Sequence, residues 1–132
     1  SVNVASFAGR FAGVGGFANI SQSARRLVFC CTFTAGGLEI EVTDGRLCVV
    51  KEGQHPKFVQ RISHVCFHGP SAIARGQDVL YVTERAVFKL TPEGLCLMEI
   101  APGVDLQSQI HDQMAFAPQI DPTLRPMSIL SI

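Results

Sequence analysis

Gly13-Val14-Gly15-Gly16-Phe17-Ala18-Asn19 is the stretch best suited to chemistry, with three glycines in four positions just ahead of a segment that reads as a helix. Bare backbone N–H groups at a helix N-terminus suit an anion or a developing oxyanion. The same glycines equally suit a tight turn with positive φ and no ligand at all. Gly13-x-Gly15-x-x-Ala18 also satisfies a relaxed dinucleotide-binding fingerprint, with Glu39 about 20 residues on in place of a ribose-binding acid. The context argues against that use. The preceding strand does not run directly into the first glycine, the helix is short, and Glu39 follows a Gly-Gly break and opens a hairpin.

Other reactive types are sparser. His64, Cys66 and His68 alternate, so a strand would project all three from one face toward a zinc ion. No fourth ligand stands at a suitable spacing, and Cys66 lies between Val65 and Phe67, so a core role and no metal site are expected. His55 and His111 fall in a loop and on a polar helix face, where exposure is the expectation. The chain holds six glutamates, Glu39, Glu41, Glu52, Glu84, Glu93 and Glu99, and no Glu-Asn pair. Glu84, beside Arg85 between two apolar runs, is the first to check, with a structural ion pair expected over catalysis.

The elements that must position these groups are mostly strands. Val2-Asn3-Val4 reads as a short strand, Ala8 to Gly16 as a loop, and Phe17 to Arg26 as a short helix. Leu27 to Phe33 is almost continuously apolar and β-favouring, which predicts a central strand covered on both faces. Leu38 to Thr43 and Arg46 to Val50 flank Asp44-Gly45, a pair that favours the positive φ angles of a type I′ hairpin turn. Ile62 to Phe67 and Val79 to Thr83 read as strands, and Pro70 to Arg75 as a helical turn. Ala86 to Leu90 and Leu95 to Ile100 flank Thr91-Pro92-Glu93-Gly94, predicting a second hairpin. Asp105 should cap a helix whose face carries Leu106, Ile110 and Met114. Residues 117–132, with three prolines, predict an extended tail over the surface.

Composition narrows the classes. A chain of 132 residues with 47% hydrophobic and 17% charged residues has the length of one domain and little tendency to disorder. Eleven basic and eleven acidic side chains are scattered, which argues against nucleic acid or anionic lipid as a partner. No apolar run approaches the roughly 20 residues of a membrane span. Residues 1–7 lack an export pattern, and the odd count of five cysteines, Cys30, Cys31, Cys48, Cys66 and Cys96, all in apolar segments, predicts buried thiols in a reducing cytoplasm.

Several segments in consistent order carry a more specific signal. They are Asn3-Val4; Gly13-Val14-Gly15-Gly16-Phe17-Ala18-Asn19-Ile20-Ser21-Gln22; Val28-Phe29; Thr32-Phe33-Thr34-Ala35-Gly36-Gly37-Leu38-Glu39; Val82-Thr83-Glu84-Arg85-Ala86-Val87-Phe88; Leu90-Thr91-Pro92-Glu93-Gly94; and Glu99-Ile100-Ala101-Pro102-Gly103-Val104-Asp105-Leu106. Together they resemble the closing section of class I coenzyme A transferases, the fused acetate or short-chain-acyl type most of all. The resemblance implies an α/β fold, a mixed, strand-rich sheet with few short helices, as part of the NagB/RpiA/CoA transferase-like fold, with residues 1–132 forming one domain of the second, β-like half. It implies a reaction in which a glutamate attacks an acyl-CoA, passes through an acyl anhydride and holds CoA as a glutamyl thioester before a second acid takes it.

Carried onto this sequence, the resemblance assigns the oxyanion contact to the backbone of Gly15 or Gly16, and places Gly13, Val14, Phe17 and Asn19 near CoA or the thioester. The family's nucleophile belongs to a Glu-Asn-Gly type motif upstream of the glycines, and no such motif occurs here. The expectation is therefore a section that needs its other half: inactive alone, with coenzyme A as substrate, no covalently bound cofactor, and a complementary subunit or a second copy as partner. The alternative is a non-catalytic CoA-binding, acyl-binding or interaction module of the same fold.

Overall fold

A computed structural model describes residues 23–58 and 69–127. The expected strands at Val2–Val4 and Ile62–Phe67, and the glycine loop, lie outside these residues. The largest sheet has five strands in the order β1 (Arg26–Cys30), β6 (Asp78–Val82), β7 (Ala86–Thr91), β8 (Gly94–Ile100) and β9 (Gln119–Pro126). Two smaller pairs, β2 (Thr34–Ala35) with β5 (His55–Pro56) and β3 (Glu39–Thr43) with β4 (Arg46–Lys51), lie between β1 and β6 in sequence. The mixed, strand-rich sheet with few short helices agrees with the expectation from sequence.

β1 and β6 run parallel, Arg26 opposite Asp78 and Cys30 opposite Val82, while β6–β7 and β7–β8 are antiparallel and β8–β9 is parallel. The two hairpin turns form where short-range chemistry dictates. Asp44 and Gly45 both take positive φ, 52° and 72°, as a type I′ turn requires. Thr91 and Gly94 close the β7–β8 hairpin, with the Thr91 hydroxyl donating to the Gly94 carbonyl at 2.7 Å.

β1 departs from its expected form. Ser23 is helical, Ala24 and Arg25 are not, and the strand runs from Arg26 only to Cys30. Among the described residues β1 is an edge of the sheet and is covered on one face: Leu27 is buried against Ala72 and Val79, while Val28 is 58% exposed. Among the described residues the short helix α1 (Gly69–Ala74) covers this part of the sheet with Ala72, and burial alternates along the strand. Residues 31–33 leave the strand and carry Phe33 into a different cluster.

That cluster is the main core. Phe33, Phe58, Ala86, Phe88, Leu97, Ile110 and Met114 are all buried, with the Phe33, Phe58 and Phe88 rings 4.9 to 6.2 Å apart between centroids. Offset aromatic packing of this kind adds to the area term. Asp105 caps helix α2 (Leu106–Gln109) as expected, its carboxylate accepting from the Ser108 N–H at 2.7 Å, though the helix has one turn before a 3-10 segment, His111–Gln113, takes over. Leu106, Ile110 and Met114 still face the core together.

The tail expected to run extended over the surface from residue 117 forms, over Gln119–Pro126, a paired strand at an edge of the sheet, in which Ile120 lies opposite Leu97 and Arg125 opposite Glu99. The mismatch in spacing forms an irregularity around Pro122, closed by the Thr123 N–H donating to the Asp121 carboxylate at 2.7 Å, and an edge is where prolines can sit in a sheet. The cysteines, expected as core residues, are not: Cys30 and Cys48 are exposed, on strand positions that face away from the side of buried Leu27 and Leu47, and Cys31 and Cys96 are half-buried; Cys66 lies outside the described residues.

A buried arginine clamp as candidate functional site

Thr83 to Ala86 makes the tight reversal between β6 and β7, and it presents Glu84 and Arg85 at the C-terminal end of β1 and β6. The reversal closes on itself: the Thr83 N–H donates to the Ala86 carbonyl at 2.9 Å, and the Thr83 hydroxyl oxygen accepts from Ala86 N–H at 3.0 Å. Because the backbone is satisfied locally, both central side chains are available for longer reach. Arg85 turns inward and is completely buried.

Every nitrogen of its guanidinium donates. Nε donates to Glu84 Oε1 at 2.7 Å, Nη1 and Nη2 donate to the two carboxylate oxygens of Glu52 at 2.8 Å each, and Nη1 also donates to the Gln109 carbonyl at 3.0 Å. One face lies over the Phe33 ring, 4.8 Å from its centroid. The bidentate contact to Glu52 uses the planar fork that lysine lacks. Among the described residues no buried side-chain nitrogen or oxygen is without a partner.

The carboxylates extend the network. Glu84 Oε2 accepts from the Phe33 backbone N–H at 2.8 Å, and Glu52 accepts from the Thr34 hydroxyl at 2.5 Å. Thr34 in turn accepts from the Gly53 N–H at 2.9 Å. The backbones here are so close that a Cβ on Gly53 would stand 2.6 Å from the Ala35 carbonyl oxygen, so only glycine fits without displacement. Residues 34–56, which carry β2 to β5, are thus pinned at both ends, Thr34 and Glu52, to the turn between β6 and β7.

Electrostatics follow from this geometry. Burial pushes the Glu52 carboxyl up, but hydrogen bonds from Arg85 and Thr34 outweigh it and hold the group below its ordinary value of 4.5. The folded state therefore binds fewer protons than the unfolded one, and the contribution is whole above 4.5 and lost as pH falls through the lower folded value. As pH falls below 4.5, the melting temperature of the native chain and that of Glu52→Gln are expected to converge. Asp105 and Asp121 are also held low, chiefly by hydrogen bonds from Ser108 and Thr123, but both persist in the variant and cancel in the difference. Parallel curves in thermal melts at stepped pH would contradict the assignment.

Around the clamp, burial raises the Cys31 thiol, partly offset by the Lys57 ammonium, and desolvation raises the Tyr81 phenol to about 12. Neither is activated as a nucleophile. Lys57 donates to the Thr32 hydroxyl at 2.9 Å on the exposed rim.

The residues singled out from sequence distribute as follows. Gly13, Val14, Gly15, Gly16, Phe17 and Asn19, like His64, Cys66 and His68, lie outside the described residues. Glu84 forms the expected structural ion pair with Arg85. Glu39 starts an exposed antiparallel strand opposite Lys51, which is not where a dinucleotide-binding acid belongs, at the end of a parallel strand. His55 and His111 are half-buried rather than exposed, His55 because β5 pairs with β2. Sequence reasoning missed Glu52, Thr34 and Gln109; an arginine between two apolar strands is a signal for a buried partner, but nothing in the sequence says which one.

Comparison with known proteins adds the context. No family model matches the chain. It is 50% identical over 127 residues to acetate CoA-transferase YdiF of Escherichia coli strain K12, covering 96% of this chain and 24% of that protein. It is 47% identical over 118 residues to caffeate CoA-transferase of Acetobacterium woodii, covering 89% of this chain and 22% of the relative. The crystal structure of acyl-CoA transferase YdiF from E. coli O157:H7 in a thioester complex with CoA superposes with a TM-score of 0.90 at 49% identity, covering 92% of this chain and 24% of that one. The chain thus spans about a quarter of the length of the relatives it matches. With near-half identity across almost all of its length and the same fold, this chain matches a section of coenzyme A transferases.

Proposed function

We propose that this chain is the C-terminal section of the β-like half of an enzyme that moves CoA between an acyl-CoA and a short-chain carboxylic acid. The observation that carries the reading is the joint match in sequence and fold to a transferase solved as a CoA thioester, 49% identical with a TM-score of 0.90. In the reaction that the resemblance implies, a glutamate carboxylate attacks the thioester carbonyl and expels CoA thiolate to leave an anhydride. The thiolate then attacks the glutamyl carbonyl, the first acid departs, and a second acid reverses the sequence. This chain would contribute a backbone N–H of Gly15 or Gly16 to the carbonyl oxygen as it gains charge. Gly13, Val14, Phe17 and Asn19 would border CoA.

None of the six glutamates supplies the nucleophile in this reading. Glu52 and Glu84 are committed to Arg85 and to backbone or hydroxyl donors. Glu39, Glu41 and Glu93 stand on exposed positions of a hairpin and a turn, and Glu99 lies within β8 opposite Arg125. The attacking group would come from the remaining part of the transferase, supplied in the same chain or by a complementary subunit or second copy. Val28 and Val50, 58% and 53% exposed, are apolar positions that such a partner would cover.

The test compares two proteins. Purified 132-residue chain, mixed with an acyl-CoA and acetate, is expected to show no exchange above background. The E. coli acetate CoA-transferase in which this chain replaces the matching section is expected to exchange CoA. Turnover by the chain alone, or a CoA adduct on Glu84 after trapping and proteolysis, would overturn the assignment of the nucleophile. A folded but inactive chimera would favour a non-catalytic binding module instead.

A further inference from the structure

Strands covered on one face alternate apolar with polar residues, whereas parallel strands covered on both faces are apolar at nearly every position. β1 and β6 are of the second kind in composition and of the first kind in burial. Leu27-Val28-Phe29-Cys30 and Val79-Leu80-Tyr81-Val82 hold no charged residue, and they pair in parallel, Val28 opposite Leu80 and Cys30 opposite Val82. Leu27, Phe29, Val79 and Tyr81 turn to the face where Ala72 of α1 lies. Val28, Cys30, Leu80 and Val82 turn to the opposite face, where Val28 is 58% exposed, Cys30 is exposed, and Leu80 and Val82 are half-buried. None of these four packs against either hydrophobic cluster of the described residues.

The strip they form has definite borders. Arg26 and Asp78 make an exposed ion pair across its amino-terminal end at 3.5 Å. Toward β7, Lys89 stands exposed opposite Leu80, while Val87, opposite Val82, is already buried. A shallow depression of about 220 Å³ opens between Arg26, Val28, Asp78, Leu80 and Lys89. Two neighbouring strands of five residues present a surface about 10 Å wide and about 16 Å long. That is the footprint of about three turns of one helix, whose diameter with side chains is about 10 to 12 Å. Helices are also what crossover connections lay on the faces of parallel strands. The chain covers only 24% of the acetate CoA-transferase it matches, so most of the relative's length lies outside it.

We infer that the strip of Val28, Cys30, Leu80 and Val82 is the seat of an amphipathic helix from the remaining part of the transferase. Its apolar side lies along the strip, one bulky side chain fills the depression, and a carboxylate on its border reaches Lys89. This rests on the transferase reading given above. The continuous apolarity of both strands is then the signature of a cover that the rest of the enzyme supplies.

The test uses the native chain and the chimera with the E. coli enzyme, with Cys30 as a built-in reporter. In the chain Cys30 is expected to react with N-ethylmaleimide as an exposed thiol at every protein concentration, tandem mass spectrometry separating it from Cys31. In the chimera its rate is expected to fall by about tenfold or more, because a covered thiol reacts only when the covering element opens. Equal rates in the chain and in an active chimera would overturn the inference. Slow labelling of the chain that speeds up on dilution would assign the strip to a second copy, and slow labelling at every concentration would assign it to residues of this chain; either result would overturn the helix. A second measurement stays within the chimera. Val28→Arg is expected to lower its melting temperature by several degrees and Val28→Ile to leave it nearly unchanged, since only the charge is costly beneath a helix. An open strip would tolerate both, and if Val28→Arg fails to fold, the labelling of Cys30 decides. Exchange activity of the parent chimera is read separately: a folded but inactive parent would overturn the transferase reading and this inference with it, whereas an active parent with an unprotected Cys30 would overturn this inference alone.

Discussion

Replacing Arg85 with methionine is expected to destabilise the chain by about 3 kcal/mol or more, because it removes a cation that two partly buried carboxylates share. Glu84 and Glu52 retain only 11% and 26% of their side-chain exposure, so neither can recover full hydration. For a chain of this length that is a fall in melting temperature of roughly 10 °C, readable by circular dichroism or differential scanning fluorimetry. Adding Glu52→Leu to Arg85→Met is expected to recover part of the loss, since it removes a carboxylate that the first change orphaned. A double variant less stable than the single one would mean that Glu52 serves stability mainly through Thr34 rather than through Arg85.

The second large effect concerns turnover. In the chimera with the E. coli transferase, Gly15→Val or Gly16→Val is expected to lower turnover by about 10²- to 10³-fold, the usual consequence of losing one donor to a developing oxyanion. A β-branched side chain is disfavoured where the backbone needs positive φ, and it would also occupy space that the thioester approaches. The informative protein is one that remains folded, with its melting temperature nearly kept, and is slow. Undiminished activity in a folded variant would show that the glycines serve only a turn, and the oxyanion role would be withdrawn.

Local chemistry made some parts of this protein legible in advance. Asp44-Gly45 and Thr91–Gly94 turn where they do because the required φ angles and hydrogen bonds involve residues no more than three apart. Asp105 caps its helix for the same reason, and Leu106, Ile110 and Met114 reach the core because residues four apart share a face across one short turn and its continuation. The order of the motifs, rather than any single one, carried the likeness to coenzyme A transferases. Glu84 beside Arg85 was legible as an ion pair because adjacent residues in a tight reversal can meet without help from the rest of the fold.

Only the tertiary structure decided the remainder. The apolar run from Leu27 reads the same whether a strand is covered on one face or two; burial of Leu27 beside a 58% exposed Val28 depends on which elements lie over the sheet. The same ambiguity left the cysteines misplaced, since a thiol in an apolar segment faces outward on alternate positions of a half-covered strand. Pro122 and Pro126 weigh against a central strand but not against an edge, so pairing of residues 119–126 with β8 had no sequence signal strong enough to announce it. The distant partner of Arg85 was least legible. Its own environment predicts that a further carboxylate must meet it, but Glu52 is equivalent to four other glutamates until the chain closes a loop of tens of residues and brings it to 2.8 Å. Residue types and near neighbours thus determine turns, caps and the need for a counter-charge, whereas coverage of a face and the identity of a distant partner are properties of the assembled core, where close packing and the cost of an unpaired buried charge select one arrangement.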